Sequence, residues 1–543
     1  MSKKNRNQLI SISNNAFARS QFSKAIEALT ELHKREPDNI EWVEKRGIAF
    51  LHLEMFSEAL TDIAKVVQVE PNNQSALSNF GVALLKTNKY KHAREILEYL
   101  LELNPESYDA CINLGTVYQM LQMPNEQIKI ALRAVEINPK SATAFNNLAT
   151  AFGDRGMLTE SLETLLIAKT IDPNYLPTLV NLAHTYFRLG NNADAIGAYE
   201  HILSIKNAPT SILQYVKYSI SYAYLNEGYL DKGWDFYENG FGLSIGGHLV
   251  NRSLLPFPEP KWRGEDLTGK TLFVVREQGL GDEIMFSTCF SDLERLNANI
   301  IIKCEPRLVS IFQRTYPLLE FIPDDGLVAS IPTTHKGRTI DFSIAVGSLP
   351  GIFRRNINDF DLPSKAFIPD PHLLVEYKER LGQRAGKKLV GICWRSGLLD
   401  VTRNEGYSVL TDWGELLTKS NMIFVNLQYG ECELELQEAE SKFGIKILRW
   451  NDTDLKNDLE RVVALISNLD AVVSVNSAPF ALGGASGVNT LLLTAEGLWT
   501  MIGQRDKFPW YKSVNPITYK ISDGHVLNGL KVAVKFICEL GTA

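Results

Sequence analysis

The segment AFNNLATAFGDRGMLTESLETLLIAKTIDP, residues 144–173, holds two stretches in which apolar residues recur at helical spacing, and it ends in a proline. Proline lacks an N–H and restricts the residue before it, so it ends the second stretch. The same arrangement recurs along the first half of the chain, at a constant step of 34 residues, with prolines at Pro37, Pro71, Pro105, Pro139 and Pro173. This period predicts a stacked array of helix pairs.

Small residues follow the same step and predict close contact between helices. One register reads Gly47, Gly81, Gly115, Ala149 and Ala183. A second reads Ala25, Ala59, Ala93, Ser161 and Ala195, with Gln127 as its exception. From about residue 6 to about residue 207, the pattern resembles the tetratricopeptide repeat. A degenerate sixth unit, YAYLNEGYLDKGWDFYE at 222–238, is expected to cap the array.

The resemblance implies a superhelix whose concave face is lined by the first helix of each unit. Four asparagines share one register there: Asn79, Asn113, Asn147 and Asn181. Because an amide both donates and accepts hydrogen bonds, such a ladder could hold the main chain of an acceptor peptide. The alternative is that these asparagines cap or bridge neighbouring helices. In either case the array is expected to be a protein-interaction surface.

The length and composition of the chain predict a multidomain protein that is expected to be cytoplasmic. Its 543 residues exceed one ordinary core, and the formal net charge of −7 argues against a broad nucleic-acid surface. The basic start lacks the apolar core of a signal peptide, and no stretch approaches the roughly 20 apolar residues that span a bilayer. The six cysteines form no CxxC pair, which disfavours a structural zinc site or a disulfide framework.

The second half alternates apolar strand-like runs with helical segments. One series of strand-like runs consists of TLFVVR, NIIIKC and IDFSIAV. A second series consists of KLVGICW, MIFVNLQ, DAVVSVN and NTLLLTA. This alternation predicts two parallel sheets in tandem, with a ligand at the carboxyl ends of their strands. The expected domains are repeats at 1–245, a linker at 246–270, an N-terminal lobe at 271–380 and a C-terminal lobe at 381–543.

The order of four motifs in this half is similar to that of bacterial proteins that join tetratricopeptide repeats to a GT-B glycosyltransferase module. The motifs are REQGLGDEIMF, VGICWRSG, LISNLDAVVSVNSAPFALGGASG and RDKFPWYKS. The module resembles heptosyltransferases, and the architecture resembles O-linked N-acetylglucosamine transferases and flagellin glycosyltransferases. The resemblance implies a helical superhelix followed by two Rossmann-like lobes, a nucleotide-sugar co-substrate held by the C-terminal lobe, no other cofactor and no metal.

Asp282 is the candidate catalytic base. It follows Gly279 and Gly281 at a strand-to-helix turn, where the similar heptosyltransferase loop carries its catalytic aspartate. A carboxylate there would accept the proton of a Ser or Thr hydroxyl. Capping of the following helix is the alternative role, and Glu283 is the alternative base. The two glycines are expected to permit close backbone approach or a positive φ.

The donor site is expected at the ends of the C-terminal strands, with Gly281 from the N-terminal lobe. Its candidates are Trp394, Arg395, Ser396, Arg403, Gln428, Asn476 and Ser477. Each has a structural alternative, such as core packing for Trp394 and an ion pair for Arg395. The helix after Ser477 would present N–H groups to a phosphate. The Asp452-Thr453-Asp454 run is expected to supply turn or capping carboxylates, and the loop Phe508–Tyr511 to pack between the lobes or to stack on a ligand.

The chain departs from its relatives at three positions of this site. They usually carry Asp, then Thr and a nearby His, where this chain has Asn476, Ser477 and Ala481. The predicted function is transfer of a sugar to Ser or Thr of a protein held by the repeats, with flagellin as a candidate acceptor. The alternatives are a transferase acting on lipopolysaccharide or another glycan and a catalytically silent scaffold.

Overall fold

The computed structural model of the protein describes residues 5–245, 248–249, 252, 260–326, 331–362, 364–396, 408–519 and 526–539. Fourteen α-helices fill the described chain up to residue 237. They are α1 (Arg6–Ala18), α2 (Phe22–Arg35), α3 (Ile40–His52), α4 (Phe56–Val69), α5 (Gln74–Lys86), α6 (Tyr90–Leu103), α7 (Tyr108–Met120), α8 (Pro124–Ile137), α9 (Ala142–Asp154), α10 (Leu158–Ile171), α11 (Leu176–Arg188), α12 (Asn192–Leu203), α13 (Thr210–Asn226) and α14 (Leu230–Tyr237). None of these or the later described helices is long and apolar enough to cross a membrane.

The helix boundaries repeat at the step that the prolines predict. The starts of α3, α5, α7, α9 and α11 are each 34 residues apart. The ends of α2, α4, α6, α8 and α10 each lie two residues before a repeat proline. The predicted array of helix pairs is therefore confirmed, and proline ends the second helix of each pair.

The turn inside each pair contains one residue with a left-handed backbone. These residues are Ser20, Glu54, Asn88, Gln122, Gly156 and Gly190, again 34 apart, with φ between 52° and 84°. This register was not predicted from the sequence, because only its last two members are glycines, the residue type that usually marks a left-handed backbone. For an L-residue the left-handed region is costly, so the helix packing on both sides holds the turn in place.

The small-residue register lies where the two helices of a pair touch. A Cβ on Gly81 of α5 would lie 2.5 Å from the Leu97 side chain of α6. The equivalent Gly115 of α7 has room, since a Cβ there would lie 3.6 Å from Ile130 of α8. The close approach of the two helices therefore requires glycine at position 81, whereas the helix contact at position 115 has room for the methyl group of alanine.

Fourteen strands follow within the described residues. They are β1 (Ser244–Ile245), β2 (His248–Leu249), β3 (Thr271–Val275), β4 (Asn299–Cys304), β5 (Glu320–Pro323), β6 (Thr334–His335), β7 (Arg338–Thr339), β8 (Phe342–Ala345), β9 (Lys388–Cys393), β10 (Met422–Asn426), β11 (Ile447–Leu448), β12 (Ala471–Val475), β13 (Thr490–Ala495) and β14 (Val514–Tyr519). β1–β2 and β6–β7 are short antiparallel pairs.

The remaining strands form two parallel sheets. The first has the order β5-β4-β3-β8, and the second has the order β11-β10-β9-β12-β13-β14. β3 pairs through Leu272 with Ile300 of β4 and Phe342 of β8, so it is central in the first sheet. The predicted fold class is confirmed as a helical repeat array followed by an α/β region with parallel, Rossmann-like sheets.

Ten α-helices belong to this α/β region as described. They are α15 (Leu280–Phe286), α16 (Phe290–Leu293), α17 (Val309–Thr315), α18 (Pro350–Phe353), α19 (Pro371–Leu381), α20 (Gly414–Leu417), α21 (Glu433–Phe443), α22 (Leu459–Ile466), α23 (Ala478–Ala485) and α24 (Val526–Glu539). α15 follows β3, and α23 follows β12. These two helices pack against each other and join the two sheets.

The chain divides into two compact units, Met1–Thr185 and Tyr186–Ala543. The second unit contains both sheets and the last helices of the array, which share one buried core. Trp234 of α14 lies edge-on to Trp499 and Trp510 of the second lobe, and Trp510 also contacts Phe286 of α15. Aromatic packing thus holds three parts of this unit together. The domain limits at 245, 270 and 380 stay predictions.

Substitution of the two equivalent glycines should affect stability in opposite directions. Gly115→Ala should raise the free energy of unfolding by about 0.5–1 kcal/mol, because alanine favours the helix and no atom obstructs it. Gly81→Ala should lower it by about 1–3 kcal/mol, because the methyl group would displace buried Leu97. Urea unfolding followed by circular dichroism compares them, and equal stability of the two variants would contradict this account.

Candidate functional site

A cleft of the α/β region lies between its two lobes. It encloses about 750 Å³, within the range of small-molecule sites. Its lining includes Gly279–Asp282 from the first lobe and Ser396, Asn476 and Ser477 from the second. All of these residues follow the carboxyl ends of parallel strands, where such sheets bind their ligands.

Asp282 lies in the first turn of α15 at the edge of this cleft. Its carboxylate accepts a hydrogen bond from the Gly279 N–H at 3.2 Å, so it does contribute to helix capping. Gly281 also lines the cleft, and a Cβ there would meet nothing within 4 Å. The left-handed residue of this loop is Gln278, at φ 64°, and neither glycine has a positive φ. The expectation of a positive φ at Gly279 or Gly281 is therefore wrong.

A buried ion pair holds the loop before Asp282. Glu277 accepts two hydrogen bonds from the Arg252 guanidinium, at 2.7 and 2.9 Å, and a third from the Gly347 N–H. The two side chains are 1% and 0% exposed. Arg252 also donates to Ser348 and lies over the Phe241 ring. Because unpaired buried charges are very costly, this set of contacts fixes where the loop leaves β3.

Glu283 does not line the cleft. Its side chain is 1% exposed and accepts from Arg276 Nε and from the Glu305 N–H, each at 2.8 Å. Burial raises the pKa of Glu283 to about 7, against the opposing effect of these hydrogen bonds. The geometry therefore gives Glu283 a structural place between α15 and the end of β4, and leaves Asp282 as the acid facing the cleft.

The opposite wall is formed by the start of α23. Asn476 is exposed at the cleft, and its amide has no hydrogen-bond partner among the described residues. Ser477 is the N-cap, yet its hydroxyl bonds to Ser474 and to the Val475 carbonyl rather than to the helix. Side-chain capping of the first N–H groups of α23 is absent in this part of the structure, so they can receive an anion.

Trp394, Arg395 and Gln428 do not line this cleft. Trp394 is fully buried and donates its indole N–H to Glu435, and the Arg395 guanidinium also bonds to Glu435. The Gln428 side-chain oxygen accepts from the backbone N–H groups of Trp394 and Arg395. These contacts stabilise the end of β9, and a donor-binding role for the three residues stays a prediction. Arg403 lies outside the described residues.

The cleft is also lined by Tyr511, from the loop expected to pack between the lobes or to stack on a ligand, and by three residues that were not identified from the sequence. Arg307 donates to the Lys456 carbonyl at 2.6 Å and so bridges the lobes. Lys456 is exposed at the cleft, and its charge also acts on Asp454, two residues earlier. Trp499 is the third of these residues. Arg307 follows β4, and Lys456 precedes α22. Each is a cation outside the strands, and nothing in the surrounding sequence distinguishes it from other surface cations.

The four asparagines of the repeats differ in their surroundings. Asn181 donates to Asn146 at 3.0 Å and to Thr150 at 3.2 Å, so it bridges neighbouring helices. Asn79, Asn113 and Asn147 are half-buried, and within the described chain their amides have no hydrogen-bond partner. Asn147 also lines a pocket of about 210 Å³ in the array. Peptide binding by the four stays a prediction.

Both acids of Asp452-Thr453-Asp454 have partners within the protein. Asp452 pairs with Arg380 through two contacts of 2.7 Å, and Asp454 accepts from the N–H groups of Lys456 and Asn457. The expected turn-capping role is thus what Asp454 performs. Across the described residues, no group of three or more His, Cys, Asp or Glu is arranged to hold a metal ion.

Comparison with known sequences agrees with the repeats. Residues 176–209 match a family model described as "Tetratricopeptide repeat". Protein FlbA of Caulobacter vibrioides (strain ATCC 19089 / CIP 103742 / CB 15) is 32% identical over 296 residues, which are 53% of this chain and 49% of that protein. The chain is homologous to FlbA and contains tetratricopeptide repeats. It spans about half the length of this curated relative.

Solved structures of repeat proteins are also similar to part of the chain. A tetratricopeptide repeat protein from Parabacteroides merdae ATCC 43184 is 21% identical, with 43% of this chain and 90% of that chain covered and a TM-score of 0.38. YrrB, described as a TPR protein with an unusual peptide-binding site, is 22% identical, with 34% and 94% covered and a TM-score of 0.28.

The raised pKa of Glu283 predicts a pH dependence of stability. A folded pKa of about 7, above the ordinary 4.5, means that the native state binds the proton more tightly. Stability from this group is therefore full below pH 4.5 and is lost as the pH rises through 7, by up to about 3 kcal/mol. Glu283→Gln should flatten this fall in urea unfolding between pH 5 and 8. A slope identical to that of the wild type would count against the buried carboxyl as its cause.

Proposed function

We propose that the protein is a glycosyltransferase of the GT-B class that transfers a sugar from a nucleotide-sugar donor to a Ser or Thr hydroxyl of a protein. The observation that carries this proposal is the cleft between the two lobes. Asp282 from one lobe and the start of α23 from the other line the same space of about 750 Å³. A proton acceptor and an anion site are what this transfer requires.

The proposed reaction assigns one task to each wall. The Asp282 carboxylate takes the proton of the acceptor hydroxyl, while the hydroxyl oxygen forms a bond to the anomeric carbon. The bond from that carbon to the phosphate oxygen breaks, and the leaving phosphate keeps its electron pair. The N–H groups of α23 and the ammonium group of Lys456 stabilise the negative charge. With this positive charge supplied by the chain, the proposed reaction needs no metal.

The acceptor is proposed to be a protein because the chain contains tetratricopeptide repeats. Such arrays bind other polypeptides on their concave surfaces. Three of the four register asparagines have unused amides, which is consistent with recognition of a peptide main chain. Flagellin is one candidate acceptor, which comes from the resemblance to flagellin glycosyltransferases. The cytoplasm is the proposed compartment.

The function is tested by direct detection of transfer. Purified protein is incubated with cell extract and with UDP-N-acetylglucosamine, GDP-mannose or CMP-N-acetylneuraminic acid, and intact protein masses are then measured. Extract without added donor serves as the reference, and it also supplies any other donor present in the cell. We expect a sugar-sized mass increase on a protein. An increase on a glycan alone would favour the lipopolysaccharide-type alternative, and no transfer with no nucleotide binding would favour the silent scaffold.

Asp282→Asn separates proton removal from helix capping. The asparagine oxygen can still accept from the Gly279 N–H, so the free energy of unfolding should change by less than about 1 kcal/mol. The transfer rate should fall by about 10²–10⁴-fold, because an amide is not a base at neutral pH. Initial rates and nucleotide binding are measured for both proteins. Retained turnover would remove Asp282 as the base.

Replacement of the unused asparagines tests the acceptor surface. Asn113→Ala combined with Asn147→Ala should weaken acceptor binding by about tenfold, the equivalent of about one hydrogen bond's free energy, with donor binding unchanged. Asn181→Ala provides the contrast, because this side chain already bonds to Asn146 and Thr150 and its loss should lower stability. Unchanged acceptor affinity in the double variant would assign the register a structural role.

A further inference from the structure

Tyr511 lines the inter-lobe cleft, and its buried hydroxyl is an unpaired polar group. Tyr511 is 4% exposed, and its oxygen has no hydrogen-bond partner in the described structure. Among the described residues with an orphaned buried polar atom, Tyr511 alone lines this cleft. A buried hydroxyl that lacks a partner costs about 1–3 kcal/mol, so its presence needs a reason.

Packing leaves the Tyr511 ring little freedom to find a partner by moving. The ring stacks on Phe508 at 5.8 Å, and it lies against α23 so closely that a Cβ on Gly484 would be 2.6 Å from Tyr511 Cδ2. Phe480 of the same helix contacts Phe508 edge-on at 5.1 Å. The ring is therefore fixed by the same helix whose first turn forms the proposed anion site.

The charged and titratable neighbours of the hydroxyl keep it protonated. Burial first, and then interaction with Tyr316 and Asp282, raises the pKa of Tyr511 well above its ordinary value. The hydroxyl is therefore a neutral donor at any physiological pH. Tyr511 and Asp282 line the same cleft, and the Asp282 charge is one of those that act on this hydroxyl.

We propose that the Tyr511 hydroxyl donates a hydrogen bond to an oxygen of the bound sugar donor, at the point where the two lobes meet. The oxygen belongs either to the transferred sugar or to its leaving phosphate, and both accept such a bond. Tyr511 is then a substrate-contact residue whose partner arrives with the ligand. This inference rests on the proposed function, because it assigns the missing partner to the nucleotide sugar.

Tyr511→Phe tests the inference, with Tyr316→Phe as a matched control. Tyr316 is equally buried, but its hydroxyl donates to the Ser287 carbonyl at 3.1 Å. In ligand-free protein, Tyr511→Phe should raise the urea midpoint, since it removes an unpaired hydroxyl, and Tyr316→Phe should lower it. A lowered midpoint for Tyr511→Phe would mean that the hydroxyl already has a partner, and it would overturn the inference.

Activity then separates ligand contact from packing. With the extract assay, transfer by Tyr511→Phe should fall at least tenfold, whereas Tyr316→Phe should keep the wild-type rate. Inhibition by UDP, GDP and CMP identifies the oxygen: weaker inhibition of Tyr511→Phe than of the wild type indicates the phosphate, and equal inhibition indicates the sugar. Wild-type transfer by Tyr511→Phe would overturn the Tyr511 inference alone. An inactive wild type would remove the proposed function, and the Tyr511 contact with it.

Discussion

The buried pair of Arg252 and Glu277 is the constraint on which the candidate site depends. Both charged side chains are buried. Arg252 also donates to Ser348, to the Tyr237 carbonyl and to Glu238, and Glu277 also accepts from the Gly347 N–H. Loss of either partner would leave a buried charge, at a cost of about 3–5 kcal/mol. Glu277 follows β3 directly and precedes the Asp282 turn. The pair therefore determines the path of the loop that carries the proposed base.

Aromatic packing supplies the second constraint, because it holds both walls of the cleft. Trp510 of the second lobe contacts Phe286 of α15 and Trp234 of α14, and Trp499 contacts Trp234 and Tyr237. Large rings bury much apolar area and have few rotamers, so they fix geometry over several elements at once. The last helices of the array thus contribute to the core of the α/β region.

The division of charge within the α/β region follows from these constraints. Three arginines form ion pairs with glutamates and so stabilise strand ends and loops: Arg252, Arg276 and Arg395. Lys456 and the start of α23 remain for an anion. Arg395 was a candidate because it is a cation that follows a buried strand. An ion pair was the alternative role for Arg395, and the structure identifies the partner as Glu435, some 40 residues later on α21.

The prolines and small residues were enough to predict the repeat array. Each of these residues acts on segments that are close to it in the sequence. Proline ends the helix that precedes it, and a glycine at the helix contact lets the next helix of the pair approach closely. The strand runs of the α/β region were predictable for the same reason, since continuous apolar stretches mark buried parallel strands. The carboxyl-end rule then placed Asp282, Ser396, Asn476 and Ser477 at one edge, and the structure brings all four to one cleft.

The sequence by itself thus determined the helix pairs, the parallel sheets and the acid at the first strand-to-helix turn. Tertiary structure alone decided which acid faces the cleft, because the burial of Glu283 against Arg276 and the place of Asp282 in the cleft wall depend on contacts with distant segments. It also decided that Trp394 packs in the core and that Tyr511 borders the cleft with its hydroxyl unpaired. Burial and pairing of a side chain depend on all residues that surround it in space. Many of these are distant in the sequence, so the neighbouring residues in the chain do not determine them.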